Sequence, residues 1–134
     1  SPQATRPWQH VLEPLSGYLT LAERLLRETK RFGGAWNFGP LLDTVCTVKD
    51  LTQRIIGHWG NGTLQVRQPP DMPHEAQLLH LSIDKAQVEL GWRPTWNLDQ
   101  TVRETTGWYI KTQREGQSVG EISTAQIRKY MGET

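Results

Sequence analysis

A chain of 134 residues fits one domain with a hydrophobic core of its own, without metals or disulfides to staple it. Its 15 Lys and Arg stand against 14 Asp and Glu, a formal net charge of +1, which argues against a nucleic acid or an anionic membrane as partner while leaving a small anionic ligand open. The single cysteine, Cys46, cannot close an internal disulfide, and no apolar run approaches the roughly 20 residues of a membrane span.

The opening stretch "RPWQHVLEPL" sets Arg6, Trp8, Gln9 and His10 directly ahead of a helix. An arginine fork, an aromatic face and two side chains with donors equip such a segment to recognise an anion, and the bland alternative is a surface loop with one buried tryptophan. Pro14 suits a first helical turn, and Leu15, Leu19, Ala22 and Leu26, with Tyr18 and Leu25, form an apolar stripe. The spacing predicts a helix over 13–31 that stops at Gly33-Gly34. "AWNF" (35–38) then reads as a short buried strand broken by Gly39-Pro40, and Asn37 within it either grips a ligand or satisfies a turn.

Thr47 caps a second helix with Val48, Leu51, Ile55 and Trp59 inward and Asp50 at the positive end of its dipole, and "GNG" ends it. "LQVR" (64–67) alternates like a half-exposed strand, and the three prolines of 69–73 make 68–77 an irregular loop that carries His74 and Glu75, a pair that a solvated surface also explains. Ser82 caps a short helix with Ile83, Ala86 and Leu90 inward, closed by Gly91. Asn97 caps a longer one with Leu98, Val102, Thr105 and Tyr109 on one side, and a last helix starts at Ser123 or Thr124. The predicted order is helix, strand, helix, strand, loop and three helices. That is an α/β chain, mostly helical, with too few strands for an independent sheet.

Several chemistries lack their residues. Neither Cys46 nor any serine sits in a nucleophile elbow. His74 and His80 are spaced wrongly for a zinc pair on a helix, and no Gly-rich phosphate cradle occurs. "NGT" at 61–63 reads as a turn. The six tryptophans fill a core or wall a ligand pocket.

Taken together, "ATRPWQHVLEPLSGYLTLAERL", "AWNFGP" and "PHEAQLLHLSIDKAQVELGWRPTWNLDQTVRETTGWY" resemble the C-terminal half of the CDP-glucose 4,6-dehydratases, which are extended short-chain dehydrogenase/reductase proteins. "RPWQHVLEPL" is the specific part, whereas "LGWRPTW" is shared by the wider superfamily and bears on fold more than substrate. The resemblance implies that residues 1–134 form a C-terminal nucleotide-sugar-binding lobe with a few short strands. An N-terminal Rossmann domain, missing here, would hold NAD and the catalytic tyrosine and lysine. No Tyr-x-x-x-Lys occurs in this chain, so it is expected to bind no NAD and to be inactive alone. The whole enzyme would be a cytoplasmic NAD-dependent lyase that eliminates water from CDP-glucose, as a homodimer or larger homo-oligomer. Residue by residue, Arg6 resembles the arginine that contacts the nucleotide diphosphate, and Asn37 the asparagine of a "YNIG" motif facing the nucleotide. His74 and Glu75 match a loop beside the nucleotide, but "DMP" precedes them where thymidine-type enzymes carry an arginine. Trp8, Gln9 and His10 match the motif with no assigned contact. The alternative function is a stand-alone nucleotide-sugar-binding or interaction module without catalysis.

Overall fold

The computed structural model describes residues 1–42, 45–67 and 78–133. Two strands, β1 (Thr5–Arg6) and β2 (Cys46–Thr47), pair antiparallel with Thr5 opposite Thr47 and Arg6 opposite Cys46. Around this ribbon lie α1 (Leu12–Arg27), α2 (Thr29–Phe32), α3 (Val48–Trp59), α4 (Leu98–Tyr109) and α5 (Val119–Tyr130). π-helical turns occupy Ala86–Leu90 and Ile110–Arg114. The fold is mostly helical with one small sheet, as the pattern of residues predicts, but both strands lie elsewhere than expected.

Neither predicted strand forms a ladder. Through 35–38 the chain takes no regular structure, and two of its carbonyls are met by side chains instead: Gln9 Nε2 donates to Phe38 O at 2.9 Å and Lys85 Nζ to Ala35 O at 3.1 Å. Backbone acceptors satisfied in this way need no neighbouring strand. The 64–67 segment is exposed throughout and has no partner strand among the described residues.

The first helix also departs from expectation. It breaks at Glu28, whose backbone turns to φ −142° and ψ 63°, and the Thr29 hydroxyl donates to Leu25 O at 2.8 Å. The break swings Phe32 into the core, where it is 2% exposed beside Phe38, Ile83, Ala86, Leu90 and Trp92. The predicted inward stripe of α1 faces out: Leu15, Tyr18, Leu19, Ala22 and Leu26 are exposed, and of the predicted face only Leu25 packs on the core. What turns inward is Glu13, Gly17 and Leu21. A β-carbon at Gly17 would lie 2.6 Å from Phe38 Cε1, so the missing side chain lets the ring press on the helix.

Local signals fare better. Thr47 and Asp50 form a reciprocal capping box, with Asp50 N–H donating to Thr47 Oγ1 at 3.1 Å, and Gly60 ends α3 at φ +87°. Asn97 and Gln100 do the same for α4. Such boxes satisfy two otherwise orphaned helix N–H groups each. Ile83, Ala86 and Leu90 are all buried, as their spacing predicts, and Gly91 closes that segment at φ +70°. In α4 the buried positions are Thr101, Val102 and Thr106, whereas Tyr109 is turned outward. The last helix begins a turn earlier than expected, capped by Ser118, because Glu121 N–H reaches its hydroxyl at 3.4 Å.

Candidate functional site

The segment from Arg6 to His10 leaves the β1 strand and runs into α1. Arg6 is half-buried, and its Nη1 donates to Thr5 O at 2.7 Å. Trp8 and Gln9 are half-buried too; Trp8 N–H donates to Arg6 O at 2.8 Å and gives the segment a tight bend. Trp8 Nε1 and Gln9 Oε1 are each buried with no hydrogen-bond partner among the described residues. Buried polar atoms are almost always paired, so an unmet donor and an unmet acceptor on successive residues single this segment out.

Gln9 joins the two parts of the candidate set. Its amide donates to Phe38 O, so "WNFG" lies against the opening segment. Asn37, exposed beside that contact, donates to Ser82 O at 3.3 Å. His74 and Glu75, with the whole predicted loop 68–77, lie outside the described residues.

His10 is 4% exposed. Its Nδ1 accepts from Leu12 N–H at 3.2 Å, which satisfies one of the donors that a helix start leaves orphaned. Its ring meets the edge of Trp96 at 4.8 Å. Burial lowers the imidazole pKa, against the opposing pull of Glu13, Glu104 and Gln126. The neutral form is the one that can accept at Nδ1. Because the folded pKa lies below the unfolded value near 6.5, the unfolded chain binds the proton first as pH falls. This group's contribution to stability is therefore complete above about pH 6.5 and is lost as pH drops through the lowered folded value. A denaturation midpoint followed from pH 7.5 to 5 is expected to fall over this window, and His10→Gln is expected to flatten that part of the slope.

Sequence reasoning missed the residue that organises the region. Glu13 is 0% exposed, and its carboxylate accepts three bonds: from Trp96 N–H to Oε1 at 2.7 Å, from Thr95 N–H to Oε2 at 2.9 Å and from the Tyr130 hydroxyl to Oε2 at 2.6 Å. Ser16 extends the network, donating to Glu13 O at 2.7 Å and accepting from Trp92 Nε1 at 2.9 Å. Burial, followed by the Glu13 contact, raises the Tyr130 pKa, so its hydroxyl keeps the proton it donates. From sequence, Glu13 beside Pro14 reads as an ordinary acidic residue in a first turn; its partners lie more than 80 positions away and leave no local signal.

Two concavities flank the site. A cleft of about 480 Å³ is walled by Gln9, His10, Leu12, Trp108 and Gln126, and a second of about 510 Å³ by Leu41, His80, Ser82, Ile83 and Asp84. Arg6, Trp8 and Asn37 line neither. No group of three or more His, Cys, Asp or Glu among the described residues is placed to hold a metal ion, and no described helix is long and apolar enough to cross a membrane.

Comparison with known proteins agrees with the resemblance read from the residues. The chain is 38% identical over all 134 residues to a CDP-glucose 4,6-dehydratase of Salmonella typhimurium, and covers 37% of that protein. It is 28% identical over 106 residues to dTDP-glucose 4,6-dehydratases of Shigella flexneri and Escherichia coli, covering 78% of this chain and 29% of each relative. The chain thus spans between 29% and 37% of the length of these relatives. No family model matches it.

Proposed function

We propose that this chain, similar along its whole length to a CDP-glucose 4,6-dehydratase, is the substrate-binding part of an NAD-dependent enzyme that eliminates water from CDP-glucose to give CDP-4-keto-6-deoxyglucose. The observation that carries the reading is that similarity, which takes in the Arg6–His10 segment and the "WNFG" segment that Gln9 holds against it. Arg6 forks onto the diphosphate, two of whose oxygens match the planar fork of a guanidinium. Asn37 and, by the same resemblance, His74 and Glu75 border the nucleotide. Trp8, Gln9 and His10 shape the edge between them, and the unmet Trp8 Nε1–H and Gln9 Oε1 are groups that a ligand or the rest of the protein would satisfy.

The residues present do not fit NAD itself. No Gly-rich turn and no Tyr-x-x-x-Lys occurs in the sequence, so the cofactor and the redox chemistry belong to another part of the protein. The outward stripe of α1 supports such a division: Leu15, Tyr18, Leu19 and Leu26 are 44%, 57%, 74% and 88% exposed along one helix. Apolar surface of that extent on a soluble chain marks a face made to be covered. The cofactor-bearing half covers it.

Two assays test the proposal. Calorimetric titration of the 134-residue chain with CDP-glucose is expected to show weak saturable binding, and added NAD is expected to give no turnover, because the chain has no group to hold NAD. A longer protein that carries this chain behind a Gly-rich cofactor half is expected to convert CDP-glucose. Turnover by the 134-residue chain alone, or inertness of the longer protein toward CDP-glucose, would overturn it.

A further inference from the structure

The last helix is fixed to the molecule in an unusual way. None of its residues is buried, so burial of apolar side chains contributes little to its docking. Five polar ties hold it: Trp108 Nε1 donates to Ser123 Oγ at 3.0 Å, Gln126 Nε2 to Glu104 O at 2.9 Å, Lys129 Nζ to Glu104 Oε1 at 2.7 Å, and the Tyr130 hydroxyl donates to Glu13 Oε2 at 2.6 Å and lies 3.0 Å from Ser16 Oγ. The first three end on α4. The last two, both made by the Tyr130 hydroxyl, reach α1 at Glu13 and Ser16.

From Tyr130 two routes converge on His10. One runs through hydrogen bonds: the Tyr130 hydroxyl holds the Glu13 carboxylate, and Glu13 N–H donates to His10 O at 3.0 Å. The other runs through rings: Tyr130 meets Trp96 at 5.0 Å and 77°, and Trp96 meets His10 at 4.8 Å and 63°. His10 in turn fixes the start of α1 through Leu12 N–H, and it adjoins Gln9, which holds the "WNFG" segment. A helix held by few contacts is thereby tied, through Tyr130 and with Gln126 beside His10, to the segment with the unmet donor and acceptor.

We propose that Tyr130 is a positioning residue, which with Glu13 makes the order of the Arg6–His10 segment, and hence its affinity for a nucleotide sugar, depend on docking of α5. The proposal rests on the reading of that segment as a nucleotide-sugar site. It requires that α5 exist in two states, docked and released, and that ligand favour the docked one. Ligand binding should then protect α5.

Tyr130→Phe removes the hydroxyl and keeps the ring, so it cuts the hydrogen-bonded route and leaves the ring route in place. Amide hydrogen exchange and calorimetric titration with CDP-glucose, both on the full chain, give the test. In Tyr130→Phe, exchange is expected to rise in α5 and also at the Trp8 and Leu12 amides of the candidate site, with CDP-glucose binding weakened roughly three- to tenfold. In the wild type, CDP-glucose is expected to slow exchange in α5. If α5 loosens while the Trp8 and Leu12 amides exchange as before, the tie is structural only and the proposal falls. A lower melting temperature with unchanged CDP-glucose affinity overturns it equally. If wild type fails to bind CDP-glucose, the functional reading fails with the claim on affinity; the exchange pattern still decides whether Tyr130 orders the segment.

Discussion

Glu13→Ala is expected to cost about 3–5 kcal/mol of folding stability, the range for removing one partner from a buried charged network. The figure follows from what the side chain leaves behind. Two backbone N–H groups, of Thr95 and Trp96, and the Tyr130 hydroxyl all point at the carboxylate, and Glu13 is 0% exposed, so water does not replace it without opening the structure. Each stranded donor keeps its full desolvation penalty, and a cavity is added on top. Glu13→Gln separates charge from shape. Its amide oxygen can accept one N–H, but its NH2 group meets donors, so a loss of about 2 kcal/mol is expected from the mispaired side. Against the 5–15 kcal/mol typical of a whole domain, either loss is plain in a urea or thermal midpoint. A midpoint for Glu13→Ala within error of wild type would show that the network does not hold the fold together.

The contrast between Glu13 and the two capping boxes shows which parts of this structure the sequence makes legible. Thr47 with Asp50 and Asn97 with Gln100 settle their helix starts among residues three apart, so the pattern and the physics coincide. The Ile83, Ala86 and Leu90 face is likewise a local matter of spacing. The face that α1 presents to the core is not. Its leucines offer an acceptable stripe, yet Gly17, where Phe38 packs, and Glu13, bonded to residues 95, 96 and 130, turn a different side inward. Those partners are distant in sequence, and a helix with two usable faces gives no local hint of the choice.

The strand expected at 35–38 fails for a related reason. Its residue types suit an extended backbone, but a strand also needs a neighbour to pair with, and here Gln9 and Lys85 side chains take the place of a ladder. Of the candidate site, the residue types at positions 6–10 and 37 are legible from their chemistry, and the resemblance joins them. Their mutual placement depends on the Gln9 contact with Phe38, which no pattern encodes.

Arg6→Ala in the whole protein is expected to weaken CDP-glucose binding by about 30- to 100-fold, since charge-assisted bonds to phosphate contribute roughly 2–3 kcal/mol. The expectation can be divided by ligand. CDP carries the same diphosphate and should lose the same factor, whereas cytidine, with no phosphate, should bind both proteins alike. Arg6→Lys keeps the positive charge but replaces a planar fork by a point charge, so it should recover only part of the loss. β1 pairing sets Arg6 opposite Cys46 through the backbone, so the substitution leaves the ladder intact and a melting temperature near wild type is expected alongside the affinity change. The ratio between ligands is what carries the assignment. An equal loss for cytidine would move Arg6 from the diphosphate to the nucleoside, and no loss for any of the three would remove it from the site, leaving the Trp8–His10 edge and Asn37 to account for binding on their own.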